Sequence, residues 1–124
     1  MKNKLLLILG VMIILQSKYA YCRNIFVPGY EILNFSAGHR TQKVNFRNPD
    51  ENSCSFKITL FLENGQAIWS SDVIPPGKTL TTIELNRELE RGRYHKAIMK
   101  YECFTLDDRV KLNNVEIILN INVN

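Results

Sequence analysis

The side chains able to do chemistry are few. Two histidines, His39 and His95, are the candidate bases, and Cys54 and Cys103 are the candidate thiol nucleophiles. Nucleophilic catalysis needs a Ser, Cys or Thr beside a base that a third group orients. His39 sits in Ser36-Ala37-Gly38-His39-Arg40, a solvated turn by composition, and His95 opens a segment with polar flanks, so neither is placed as that base. Two Cys and two distant His lack the ligand spacing of a zinc site. The carboxylate pairs Asp50-Glu51 and Asp107-Asp108 are candidates for acid–base work or for Ca²⁺, yet both fall in loop sequence and no spacing specifies a set of six oxygen ligands. No Gly-rich phosphate loop or Walker-type lysine is present. The expectation is a non-enzymatic protein with no cofactor and no metal.

The N-terminus carries a different signal. Lys2 and Lys4 precede an unbroken apolar run over residues 5–15. A spanning helix needs about 20 apolar residues, so the run fits the apolar region of a signal peptide better than an anchor. Ala20 and Cys22 occupy the two positions where signal peptidase wants small residues, which puts the cut after Cys22 and the mature start near Arg23. The reading is therefore a signal peptide or short membrane anchor at 1–22 and one domain at 23–124, secreted or associated with the cell surface. Cys22 is the alternative lipid-acceptor position. Contact with a membrane is expected only through a leader that is uncleaved or lipidated.

That cut changes the meaning of the charge. The 124 residues carry 16 Lys and Arg against 12 Asp and Glu, a formal +4. Lys2, Lys4 and Lys18 lie in the leader, so the remaining domain is almost balanced, with basic and acidic residues interleaved. A phosphate-binding stripe needs clustered, unopposed basic residues; no nucleic-acid partner is expected.

The elements that position these residues follow a period of two, the signature of strands with one buried face. Val44 and Phe46 alternate with Lys43, Asn45 and Arg47, and residues 48–52 break that strand. Cys54, Phe56, Ile58, Leu60 and Leu62 share one face of the next. Asn64-Gly65 is a hairpin turn, because both positions tolerate positive φ. A strand over 66–74 then ends at Pro75-Pro76-Gly77. Residues 79–85 form another strand, and 86–91, the one helical candidate, is too short to be stable alone and contributes at most one turn before Gly92. Ala97, Met99, Tyr101 and Cys103 line one face of a strand over 94–104. Val115, Ile117, Leu119, Ile121 and Val123 line the last, and a first strand lies within 30–35. About seven short strands separated by turns specify an all-β, two-sheet sandwich of immunoglobulin-like type. Tyr94 lies on the opposite parity from Tyr101 and Cys103, which requires a β-bulge near residues 95–97.

Removal of the leader leaves Cys54 and Cys103, which an oxidising compartment would pair. In such a sandwich the third and sixth strands are antiparallel neighbours. Both cysteines fall on the apolar parity at one end, so a Cys54–Cys103 disulfide is expected. The loops 48–53 and 105–114 then share that end. They offer Asp50, Glu51, Asp107 and Asp108 as an acidic, partner-binding tip, with Arg109 and Lys111 alongside. An apolar segment at 25–30 packs as the first strand or docks a partner.

Leu89-Glu-Arg-Gly92-Arg-Tyr94 resembles the tyrosine corner of immunoglobulin-like domains, in which a Tyr hydroxyl bonds back to nearby backbone. The wider stretch from Pro75-Pro76-Gly77-Lys78 through Leu89, Gly92 and Tyr94 to Tyr101 and Cys103 resembles short, signal-bearing surface proteins of Gram-positive bacteria. Asn64-Gly-Gln-Ala-Ile-Trp69-Ser-Ser, followed by Ile74-Pro-Pro-Gly-Lys78 and Gly92-x-Tyr94, is similar to the BsuPI-type proteinase inhibitors of bacilli. The first resemblance implies a surface sandwich module. The second implies a secreted proteinase inhibitor in which Trp69, Pro76, Gly77, Gly92 and Tyr94 are scaffold positions and an exposed loop or hairpin such as 64–69 occupies a protease cleft. Trp69 is also a candidate partner-contacting residue. The expected function is an exported binding or accessory module that recognises a protein partner through loops or an edge strand. The alternatives are that inhibitor, or an immunity or assembly partner that depends on export.

Overall fold

Period-two sequence and closely spaced turn residues produce seven strands in the computed structural model, which describes residues 32–124. The leader, the lipid-acceptor reading of Cys22 and the segment 25–30 lie outside the described residues. The strands are β1 (Ile32–Phe35), β2 (Thr41–Arg47), β3 (Cys54–Phe61), β4 (Ala67–Ser70), β5 (Thr79–Glu84), β6 (Gly92–Thr105) and β7 (Lys111–Val123). They form a five-stranded sheet, ordered β1-β7-β6-β3-β4, and a two-stranded sheet of β2 and β5. β1 runs parallel to β7 and every other pair is antiparallel. This is the immunoglobulin-like two-sheet sandwich that the sequence predicts.

The core sits between the sheets. Cys54, Phe56, Ile58 and Leu60 of β3, with Ala97, Met99, Tyr101 and Cys103 of β6, turn one face inward and are fully or almost fully buried. Leu119, Ile121 and Val123 extend that face along β7, and Phe46, Ile83, Leu85 and Leu89 close it from the other side. Burial of each such side chain stabilises by about 1.5–3 kcal/mol, the main force holding the layers together. Phe56 meets Tyr101 edge-on, with ring centroids 5.2 Å apart.

Three local expectations hold. The ladder between β6 and β7 shifts between Tyr94 and Ala97, where three steps along β6 oppose two along β7, from Ile121 to Leu119. The extra residue, with Lys96 at φ 54°, reverses parity, so a half-buried Tyr94 and a buried Tyr101 belong to one strand. The tyrosine corner is made: Tyr94 Oη donates to the Glu90 carbonyl at 2.8 Å while Leu89 is buried beside it. Pro75 to Lys78 forms a type II turn, with Lys78 N–H donating to the Pro75 carbonyl at 3.2 Å and Gly77 at φ 86°.

Other expectations are corrected. Residues 86–91, allowed at most one helical turn, form none; they cross β4, where Asn86 N–H donates to the Ile68 carbonyl at 2.7 Å and Asn86 Nδ2 to the Ala67 carbonyl at 3.2 Å. Those bonds cover the outer edge of a short strand, so the edge satisfied the segment better than an isolated helical turn could. The strand expected over 66–74 ends at Ser70 and resumes only as a bridge between Ile74 and Phe56. Ser71 still donates its N–H to the Ile58 carbonyl at 2.8 Å, but its Oγ replaces the backbone acceptor, taking the Ile58 N–H at 2.9 Å and donating to the Asp72 carbonyl at 2.7 Å.

The Cys54–Cys103 disulfide does not form. Cys54 lies level with Thr105, and Cys103 lies level with Phe56, so the two cysteines are offset along the ladder. Diagonal neighbours at that offset stand about 7–8 Å apart, whereas a disulfide holds its Cβ atoms at about 3.8 Å. Both side chains are in the core, as parity required, but the register keeps them apart. Among the described residues no two cysteines are bonded to one another, and Cys103 is a free, buried thiol. Burial pushes its pKa up to about 11.

Candidate functional site

Loops 48–53 and 106–110 emerge at the same end of the sandwich, because Cys54 at the start of β3 pairs with Thr105 at the end of β6. The first loop is held from below by Asn48, which is fully buried. Its Nδ2 donates to the Cys54 carbonyl at 3.0 Å and to the Ile74 carbonyl at 2.9 Å, while its Oδ1 accepts from Asn52 Nδ2 at 2.7 Å. Its backbone joins the Pro-Gly turn: Asn48 N–H donates to the Lys78 carbonyl at 3.0 Å and Gly77 N–H to the Asn48 carbonyl at 2.6 Å. One amide therefore ties the ends of β2 and β3 to the turn before β5. At the opposite end Gln42 does the same for the β1–β2 turn, with Oε1 accepting from Ser36 N–H at 2.8 Å and Nε2 donating to the Ser36 and His39 carbonyls at 3.0 and 2.8 Å.

The second loop is shorter than expected, since β7 begins at Lys111 rather than beyond Asn114. Thr105 closes it twice: its N–H donates to the Val110 carbonyl at 3.0 Å and its Oγ1 accepts from Val110 N–H at 2.9 Å. Arg109 takes φ 53°, a left-handed conformation that completes the reversal. Leu106 and Val110 flank Asp107-Asp108-Arg109 and are 51% and 50% exposed. Lys111 Nζ lies 3.2 Å from Glu102 Oε2 at the base of the hairpin. The turn is thus a fixed projection carrying two apolar side chains and two carboxylates.

The four acidic residues of the expected tip are all exposed, but they do not gather into one cluster. Asp50 turns aside to Arg47, whose Nη2 is 2.9 Å from its Oδ2, and it lies over Gly77, where a Cβ would collide with its Oδ1. Glu51 stays on the first loop, and Asp107 and Asp108 on the second. Trp69, expected as a partner-contacting residue, is 6% exposed and packs on Phe46 of the facing sheet with centroids 5.6 Å apart. Its place on β4 opposite Leu60 turns the indole into the core, so only residues 63–67 of that hairpin face solvent. His39 and His95 are exposed at the far end of the sandwich from Cys103.

Beside β4 the two sheets part to leave a groove of about 250 Å³, lined among others by Trp69, Ser71, Ile74, Leu80 and Ile83. Sequence reasoning did not single out Leu106 and Val110 as site residues, nor Asn48 as the support of the first loop. The available signal was two large apolar residues bracketing an acidic turn that had no reason to be buried. Comparison with protein-family models, curated proteins and solved structures gives no match, so the geometry above carries the functional argument.

Proposed function

We propose that this chain is an exported, non-enzymatic binding module that recognises a protein partner through the β6–β7 turn. The observation that carries the reading is the pair Leu106 and Val110, half exposed on a turn closed by two bonds between Thr105 and Val110. Apolar side chains held out on a rigid loop bind at low entropic cost, because little is left to order on docking. Asp107 and Asp108 between them favour a partner whose apolar socket has a basic rim. Export is supported by Lys2 and Lys4 ahead of the apolar run at 5–15. A non-catalytic role is supported by the separation of His39 and His95 from Cys103, a thiol that burial keeps protonated.

A photo-crosslinking residue at position 106 tests this on intact cells, with a second at exposed Thr81 of β5 as the comparison. A discrete adduct is expected from position 106 alone, and it should be lost when Asp107→Lys and Asp108→Lys are combined. Equal adducts from both positions would overturn the assignment. The inhibitor reading no longer has Trp69 as its contact, and stoichiometric inhibition of any member of a protease panel would restore it over the present one.

A further inference from the structure

With Leu60, Met99 and Leu119 turned into the core, strand alternation points Phe61, Ile98 and Ile118 out of the opposite face of the five-stranded sheet. They lie in one row: Phe61 is level with Ile98, and Ile98 is level with Ile118. Ile118 is 71% exposed, more than any other large apolar residue among those described, and Phe61 and Ile98 are half-buried. Ile32 of β1, level with Asn120, adds a 50% exposed side chain at the next outward position. An antiparallel sheet that turns one face to water carries polar residues there. An apolar row across four strands marks a contact surface instead.

The adjoining row says what covers it. Lys100 and Glu116 stand level with one another on β6 and β7, one outward position from Ile98 and Ile118. Glu116 is exposed and Lys100 half-buried, and among the described residues neither takes part in an ion pair. The face thus presents an apolar row flanked by one cation and one anion on adjacent strands, a pattern complementary to itself. We propose that this face is the contact between two copies of the chain, related by a two-fold axis parallel to the strands and passing between β6 and β7.

That operation exchanges β6 with β7 and β3 with β1, because these pairs flank the axis in the strand order. It lays Lys100 of each copy over Glu116 of the second copy, Ile98 over Ile118, and Phe61 beside Ile32. The contact is isologous, so each opposite-charge pairing occurs twice. The face spans five strands about 4.8 Å apart and, along the eight residues of β3, a rise of about 3.3 Å each, roughly 600 Å² per copy. Two such faces bury about 1,200 Å², the lower end of specific interfaces, so the dimer is reversible. Ile98 lies eight residues along β6 from Leu106, about 26 Å, which makes this surface separate from the β6–β7 turn.

The test is sedimentation equilibrium of the protein as its producing cells export it, up to about 1 mM. The weight-average mass should rise with concentration towards twice that of one chain and no further. Ile118→Lys should weaken the association by more than about tenfold without moving the urea midpoint, since the side chain lies in solvent. Lys100→Glu and Glu116→Lys should each weaken it by about tenfold, and combining them in one chain should restore it, because the exchanged charges again meet across the axis. A mass independent of concentration, association that survives Ile118→Lys, or a double exchange no stronger than either single one would overturn the proposal. The reading of the β6–β7 turn fails separately, through loss of the adduct at position 106 with the dimer intact.

Discussion

Replacing Asn48 by Asp changes one group in the centre of the loop-bearing end and should remove a large share of the stability of the domain. The Asn48 Nδ2 group gives its two protons to the carbonyls of Cys54 and Ile74, at 3.0 and 2.9 Å. Asp puts an oxygen with no proton against those two oxygens, at a position with 0% exposure. Ile74 keeps one bond, from Phe56 N–H at 2.9 Å, so its loss is partial. Each buried polar group deprived of its partner costs about 1–3 kcal/mol, and an uncompensated buried charge costs about 3–5 kcal/mol. A destabilisation of at least about 4 kcal/mol at pH 7 follows, against a total of about 5–15 kcal/mol for a domain. The sign of its pH dependence is fixed. Burial raises the folded-state pKa of the new carboxyl above its unfolded value, so the deficit is largest at neutral pH and shrinks as pH falls towards 4, where the neutral acid can donate one bond. Equilibrium urea unfolding at pH 7 and pH 4 measures both effects. A variant within about 1 kcal/mol of the parent at pH 7, or a deficit unchanged at pH 4, would refute the account of Asn48 as a buried double donor.

Gly77→Ala places a Cβ against Asp50 at φ 86°, and the left-handed backbone alone costs about 1–2 kcal/mol, so a loss of about 2–3 kcal/mol is expected in the same assay. Tyr94→Phe removes only the 2.8 Å bond to the Glu90 carbonyl and should cost about 0.5–1.5 kcal/mol. Cys103 has its pKa raised from 9.0 to about 11, so above pH 9 the unfolded chain releases a proton that the folded chain retains. Stability should therefore fall by about 2 kcal/mol between pH 8 and 10.5, and this component of the alkaline decline should be missing from Cys103→Ala. Val110→Ser should leave the unfolding midpoint unchanged within about 0.5 kcal/mol while weakening the adduct formed from position 106.

Alternation made the inner faces of β3, β6 and β7 legible, and Asn64-Gly65 and Pro76-Gly77 marked their turns, because these signals are local. The parity conflict of Tyr94 with Tyr101 located a bulge for the same reason. Register is not local. The continuous register of the β3–β6 ladder sets Cys54 and Cys103 two rungs apart, and nothing in their spacing reveals it. Trp69 was misread as a surface residue because a hairpin near a turn looks exposed; only the facing sheet, with Phe46, shows which side of β4 is covered. Asn48 and Gln42 looked like ordinary polar loop residues, and their roles depend on carbonyls such as Ile74, far away in sequence. The candidate turn itself was half legible, in its carboxylates but not in the apolar pair beside them.

The parallel pairing of β1 with β7 also sets an order of events for the chain. β6 and β7 are joined by a short turn and can zip together as soon as both exist, at small entropic cost. Residues 32–35 have their ladder partners at 120–123, the last strand to leave the ribosome or a translocation pore. β1 must therefore wait, unpaired, through the passage of nearly the whole domain, and its docking closes the longest loop in the fold. Deleting residues 120–123 would strip β1 of its ladder as well as shortening β7, so β1 and the end of β7 stand or fall as one cooperative unit.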